Sequence, residues 1–239
     1  KQDRTRIVNA GFDIQWIMSD SVYLFIPDSQ FKNVEKMGLR ILDKYKLKPR
    51  FTAFDFPPED SRFHNYERMS KAMAKLEASH PNIVRKFSMG KSVEGREIWC
   101  IQINSQAQKL RRKRSESGLI NVSTKPGIVF MGNHHAREHL SAEIPFMLAE
   151  HLVKFYGVDR EITQLIDRRD IYIIPMVNPD GVEFDIKTGS YQWQRKNMRP
   201  NGTSRPGVDL NRNYSFMWGT GGSSRDPSSD VYMGPEAFS

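Results

Sequence analysis

An α/β fold is predicted, with a mixed, largely parallel central sheet carrying helices on both faces and a small α+β subdomain in front of it. Three observations point there. Beyond residue 60, short apolar runs at 98–103, 127–131 and 171–174 alternate with segments whose apolar residues repeat at helical spacing. Ile171-Tyr172-Ile173-Ile174 is apolar on both faces, as a strand covered on both sides must be. The Pro- and acid-rich stretch Phe54-Asp55-Phe56-Pro57-Pro58-Glu59-Asp60 breaks the pattern and divides 1–54 from 55–239.

Within 1–54, residues 22–26 read as a strand. Pro27-Asp28-Ser29 opens a helix whose apolar positions Phe31, Val34 and Met37 recur at helical spacing before Gly38 stops it. Some fifty residues make a small core, so this piece is expected to lean on the rest. In the larger region, Asn65 caps a helix with Tyr66, Met69, Met73 and Leu76 on one face, ended by His80-Pro81. Strands at 98–103 and 127–131 are expected to be buried. The second runs directly into Gly132-Asn133-His134-His135. A helix over 138–155 is expected to turn Leu140, Ile144, Leu148, Leu152 and Phe155 inward, and a shorter one covers 161–168. From 178 to 239 the chain is rich in Gly, Pro, Asn and Ser, a length of loop that suggests function.

Composition narrows the classes. One cysteine, Cys100, excludes an internal disulfide, and its apolar neighbours mark it as a buried thiol. No run approaches the roughly 20 apolar residues of a membrane-spanning helix, so no membrane partner is expected. The net charge of +8 would suit a polyanion, but five of the positive charges fall in one polar stretch, Lys109, Arg111, Arg112, Lys113 and Arg114. Without interleaved aromatics this reads as a solvated loop, and nucleic acid is not expected as a partner.

The chemistry concentrates after the 127–131 strand, since ligands bind at the carboxyl ends of strands in open α/β sheets. In His135-Ala136-Arg137-Glu138 an imidazole and a carboxylate three residues apart can converge on one Zn²⁺ and leave positions open. Such a pair also arises by chance, so its weight comes from later blocks. These are Asn178-Pro179-Asp180-Gly181, Gln194-Arg195-Lys196-Asn197 after Tyr191 and Trp193, and Gly207-Val208-Asp209-Leu210-Asn211-Arg212-Asn213. His134 and His139 lack a carboxylate at the third position and are read as supporting or surface groups.

With Tyr66 and Gly95-Arg96-Glu97-Ile98 these blocks resemble the zinc metallocarboxypeptidases, which remove the C-terminal residue of peptides, and the resemblance covers roughly 55–239. It implies that His135 and Glu138 are metal ligands for Zn²⁺, Arg195 the oxyanion-stabilising residue, Asn211 and Arg212 the grip on the substrate's free carboxylate, and Arg137 an outer subsite. The residue types suit those roles. A guanidinium grips a carboxylate through paired hydrogen bonds, and a cation already aimed at a developing oxyanion needs no solvent reorganisation. Tyr191 and Trp193 are read as packing residues, and Gln192 stands where many relatives carry a further arginine.

The family's third zinc-binding histidine and its catalytic glutamate have no counterpart: the last histidine is His151, and after Glu183 the only glutamate is Glu236. Both are expected beyond Ser239, so these residues read as a prosegment-like piece plus the amino-terminal part of a catalytic domain, inactive alone. The protein is expected to be a secreted or periplasmic zymogen acting on a peptide or protein with a free C-terminus, with a second polypeptide as one way of completing the domain. The competing expectation is an inactive carboxypeptidase-like module that binds peptide C-termini or a protein partner.

Overall fold

The computed structural model describes residues 2–12, 14–24, 26, 28–44, 55–57, 60–107, 125–188 and 190–239. The basic stretch 109–114 and part of the expected boundary, residues 54, 58 and 59, lie outside the described residues.

The N-terminal piece contains helix α1 (Gln2–Asn9), strands β1 (Ile14–Ile17) and β2 (Val22–Leu24) paired antiparallel, and helix α2 (Asp28–Glu35). Ile7, Phe12 and Val34 form its own small cluster, with Ile14, Val22, Leu24 and Met37 against it. The strand and helix expected there are present. The sequence reading missed α1 and β1, because Gln2–Asn9 buries a single residue, Ile7. The piece touches the rest where the Ser229 hydroxyl donates to the Gly11 carbonyl at 3.3 Å.

The larger region is built on a four-stranded sheet in the order β3-β4-β6-β5, comprising β3 (Val84–Lys91), β4 (Glu97–Ile103), β5 (Gly127–Met131) and β6 (Asp170–Ile174). Helix α3 (Tyr66–Ser79) precedes it, capped as expected by Asn65, whose side chain accepts from the Arg68 amide. Helices α4 (Leu140–Phe155) and α5 (Arg160–Arg168) connect β5 to β6, and α6 (Pro179–Ile186) follows β6. Register sets Ile101 opposite Ile173, Ile103 opposite Ile171, and Ile128 and Phe130 beside Ile171 and Ile173 on one sheet face. Met69 and Met73 of α3, Phe146, Ala149 and Leu152 of α4, and Ile166 of α5 close the core with Ile101, Ile103, Ile171 and Ile173. The helical layer expected on both faces is met on this face among the described residues.

The sheet is mixed, as expected: among the described strands β5–β6 pair in parallel, and β3–β4 and β4–β6 pair antiparallel. The turn at 92–96 is the cause for the β3–β4 pair. Ser92 donates to the Arg96 carbonyl at 2.8 Å and Gly95 takes φ 84°, a tight reversal that compels β3 and β4 to run antiparallel. β5 and β6 can be parallel because two helices carry the chain back between them. β3 escaped the sequence reading because Arg85, Lys86 and Lys91 interrupt its apolar pattern, although the Lys86 ammonium covers the Trp99 ring at 3.8 Å.

Two expectations are corrected. β5, expected to be buried, is an edge strand of the sheet among the described residues, and all five of its residues are exposed. Helix α4 buries Ala142, Phe146, Ala149, Leu152 and Val153, while Leu140, Ile144 and Met147 face outward. Four-residue steps drift by about 40° each on a helix of 3.6 residues per turn, so the series Leu140, Ile144, Leu148, Leu152 cannot keep to one side.

Candidate metal and substrate site

The site grows from the carboxyl end of β5. Gly132 leaves the strand donating to the Ile174 carbonyl at 3.0 Å, and a Cβ there would lie 2.0 Å from the Ser141 carbonyl oxygen, so only glycine lets the chain pass beneath α4. Asn133 then takes φ 56°, a region asparagine tolerates better than most residues. Its side-chain amide donates to the His135 and Glu138 carbonyls at 3.1 and 3.3 Å, which shapes the His135–Glu138 loop from inside.

A second loop is laid against the first by backbone bonds: Ala136 donates to the Arg195 carbonyl at 3.1 Å and Arg137 to the Gln194 carbonyl at 2.8 Å. Asn178 fastens both. Its carbonyl oxygen caps α6 through the Gly181 amide, while its NH₂ donates to the His134 and Lys196 carbonyls at 3.2 and 3.1 Å. The Asn-Pro-Asp-Gly block thus acts as a fastener for the site, without lining it.

These loops bring His135, Glu138 and Arg195 together around a residue that the sequence reading did not select, Asp209. Nδ1 of His135 faces Glu138 Oε1 at 2.9 Å, and Nε2 donates to Asp209 Oδ1 at 3.1 Å. The other Asp209 oxygen accepts from Arg195 Nε at 3.1 Å, and Arg195 Nη1 is 3.7 Å from Glu138 Oε1. One buried carboxylate therefore orients the imidazole and the guanidinium at once. Burial pushes the Asp209 carboxyl up, but the His135 hydrogen bond and the Arg195 and His135 charges outweigh it and hold it at about 2. Burial works to lower the His135 imidazole's pKa, yet its bonds to Asp209 and Glu138 keep it above the ordinary value. Glu138 is raised by burial but held lower overall by His135 and Arg195. Asp209 had a signal in the sequence, an acidic residue between Val208 and Leu210, but aspartate in such a loop reads first as a turn-former.

The donor set fits part of a zinc site. An imidazole nitrogen and a carboxylate converge while the other imidazole nitrogen is held by a second carboxylate, the arrangement that orients metal-bound histidines. Among the described residues no group of three or more His, Cys, Asp or Glu could hold a metal. His135 and Glu138 therefore fit two of the ligand positions.

Asn211 and Arg212 lie on the short 3₁₀ turn Leu210–Arg212, directly after Asp209, which accepts from the Asn211 amide at 2.9 Å. Asn211 is exposed, and Arg212 is aimed by its Nε bond to the Gly222 carbonyl at 2.8 Å. Arg137, read from the resemblance as an outer subsite, lines a pocket with Glu138, His139, Ile144, Tyr191 and Trp193. Its side chain is 2% exposed and pairs with Asp230 at 3.2 Å. His134 donates to or accepts from the Tyr214 hydroxyl at 2.8 Å, and His139 is buried against Asp185 at 2.9 Å, stacked on Tyr191. Neither reaches the His135–Glu138 pair as a ligand.

The Zinc carboxypeptidase family profile matches residues 69–239. A zinc carboxypeptidase of Saccharothrix mutabilis subsp. capreolus is 34% identical over 229 residues, covering 90% of this chain and 50% of its own length. The metallocarboxypeptidase A of Trichophyton tonsurans is 35% identical over 175 residues, covering 73% of this chain and 38% of its own. Among solved structures, carboxypeptidase A of Helicoverpa armigera shares the fold with a TM-score of 0.69 at 23% identity, over 100% of this chain and 61% of that one. The chain thus spans half or less of the length of these two curated relatives.

Proposed function

From a chain that belongs to the zinc carboxypeptidase family, we propose that the whole protein removes the C-terminal residue of peptides, with the site around Asp209 as its amino-terminal share of the machinery. The observation that carries this reading is the joint hold of Asp209 on His135 and Arg195. Zn²⁺ is the family's metal, and when bound it supplies a Lewis acid at the scissile carbonyl. His135 and Glu138 would hold it, with Nε2 of His135 keeping its proton for Asp209. The third ligand and the general base come, in this proposal, from polypeptide that the relatives have and this chain does not span.

Arg195 lies ready to take the negative charge that develops on the carbonyl oxygen, and its bond to Asp209 fixes its direction before substrate arrives. Asn211 and Arg212, one turn further on, offer an amide and a guanidinium to the terminal carboxylate, a planar anion suited to paired hydrogen bonds. Residues 1–54 act as a prosegment that is removed on activation, a reading supported by the Gly11–Ser229 contact. The protein works outside the cell, or in the periplasm of a bacterium, on peptide or protein substrates.

The test uses the full-length protein. With about one zinc per molecule, it is expected to release the last residue of a peptide with a free C-terminus, to spare the same peptide when amidated, and to lose activity to a chelator. Arg195→Ala is expected to lower kcat by about 10²- to 10³-fold. Binding of the free-C-terminus peptide without release, in zinc-loaded protein, would instead establish a binding module.

A further inference from the structure

The loop that delivers Arg195 is held from behind by a residue that no motif marks, Asp185, near the carboxyl end of α6. Its side chain is wholly buried, and each carboxylate oxygen has its own partner. Oδ1 accepts from the Gln194 amide at 2.7 Å, and Oδ2 accepts from Nε2 of His139 at 2.9 Å. The Asp185 backbone carbonyl accepts in turn from the Gln192 amide at 2.9 Å. One residue thus brackets Trp193, which holds φ 57°, a strained conformation for a bulky residue that persists only where its surroundings fix it. Gln194 is gripped on both sides, its amide by Asp185 and its carbonyl by the Arg137 amide at 2.8 Å. Arg195 is the next residue. His139, which follows Glu138, is stacked on Tyr191 and set edge-on to Phe56 at 4.8 Å, so its ring keeps the Asp185 carboxylate turned toward the loop. Where Asp209 aims the Arg195 guanidinium by direct contact, Asp185 fixes the backbone from which that side chain springs.

We propose, resting on the carboxypeptidase reading, that Asp185 is a positioning residue for the reaction. It holds the 192–194 backbone in the strained form that presents Arg195 to the scissile carbonyl, and His139 is its brace. What the backbone needs from position 185 is an acceptor oxygen, not a charge. Asparagine supplies one: its oxygen can accept from the Gln194 amide, and its NH₂ can donate to Nε2 of His139 once the imidazole carries its proton on Nδ1. Alanine supplies none, so the Gln194 amide loses its acceptor and Trp193 relaxes toward an ordinary φ. The loss falls on the chemical step, because charge on the carbonyl oxygen develops only in the transition state.

The experiment measures kcat per zinc-loaded molecule and KM in the full-length protein, on a blocked tripeptide with a free C-terminus, for Asp185→Ala and Asp185→Asn. Asp185→Ala is expected to lower kcat by about ten- to a hundredfold with KM little changed, and Asp185→Asn to restore most of the rate. In Arg195→Ala protein, Asp185→Ala is expected to lower kcat no further, because its effect passes through that arginine. A purely structural role would lower the folded, zinc-loaded fraction and leave kcat per loaded molecule unchanged, which overturns the proposal. So would an undiminished further loss in the Arg195→Ala background, or Asp185→Asn falling as far as Asp185→Ala, which would assign the effect to the charge. If Asp185→Ala does not fold, Asp185→Ser decides, since its hydroxyl stops one bond short of the Gln194 amide: lowered kcat supports the proposal and unchanged kcat overturns it. Wild-type protein that releases nothing from the tripeptide overturns the carboxypeptidase reading and this proposal together, whereas active wild type with indifferent variants overturns this proposal alone.

Discussion

Lys196 shows how much the loops around the site depend on single side chains. Burial pushes its ammonium down to about 8, with Arg205 adding repulsion and Asp230, Asp226 and Asp209 opposing. In the unfolded chain the same group titrates near the ordinary lysine value, about 10.4. Between those two values the unfolded state binds more protons than the folded one, so Lys196 makes stability rise with pH across that window. Below about 8 its buried charge weighs against folding in full. Urea unfolding of wild type and Lys196→Met at pH 7.5 and 10 checks this: the wild type should gain relative to the variant at the higher pH, and parallel profiles would refute it. Cys100 is the opposite kind of buried group. Its thiol is pushed by burial up to about 12, which leaves it inert at neutral pH, as its apolar neighbours foretold.

The hairpin β3–β4 and helix α6 are joined by one carboxylate. Asp180, 2% exposed, accepts from Arg96 Nη1 at 2.8 Å, from the Ser92 hydroxyl at 2.7 Å and from the Glu94 amide at 2.8 Å. Two blocks that resemble the family at widely separated points in the sequence, Gly95-Arg96-Glu97 and Asn178-Pro179-Asp180, thus meet in space. Asp180→Asn should cost about 1–3 kcal/mol of stability, as a lost charge-assisted acceptor among buried donors does. Thermal unfolding would read it, and an unchanged midpoint would refute the clasp. What the sequence made plain follows the same division. His135, Glu138 and Arg195 could be picked out because the blocks that hold them occur together and resemble the zinc carboxypeptidases, although the His–Glu spacing alone also arises by chance. Asp209 and Asp230 could not, because their partners lie 74 and 93 residues away and an aspartate among Asn, Ser and Gly reads as a turn or a solvated group. Helix α4 was found but its facing was not, since facing depends on which neighbours arrive, and β5 had the apolar content of a buried strand yet lies at an edge.

The molecule as described carries an uncovered apolar edge, with Ile128 and Phe130 exposed on one face of β5, Val129 and Met131 on the other, and Leu140, Ile144 and Met147 exposed on α4. Parallel strands are normally covered on both faces, and an open apolar edge invites pairing with another chain. These 239 residues produced alone should therefore self-associate. Light scattering should detect it, and Val129→Lys with Met131→Lys should reduce it; scattering that is unchanged by both lysines would assign the association elsewhere. The shared carboxylate of Asp209 has a consequence of another kind. Because one group faces both His135 and Arg195, anything that draws the arginine away alters the imidazole, and the reverse holds equally. Thermodynamic reciprocity then requires that an anion engaging Arg195 and a metal held by His135 change each other's affinity by the same factor. Metal retention in this protein should thus be a reporter of what occupies its other half-site.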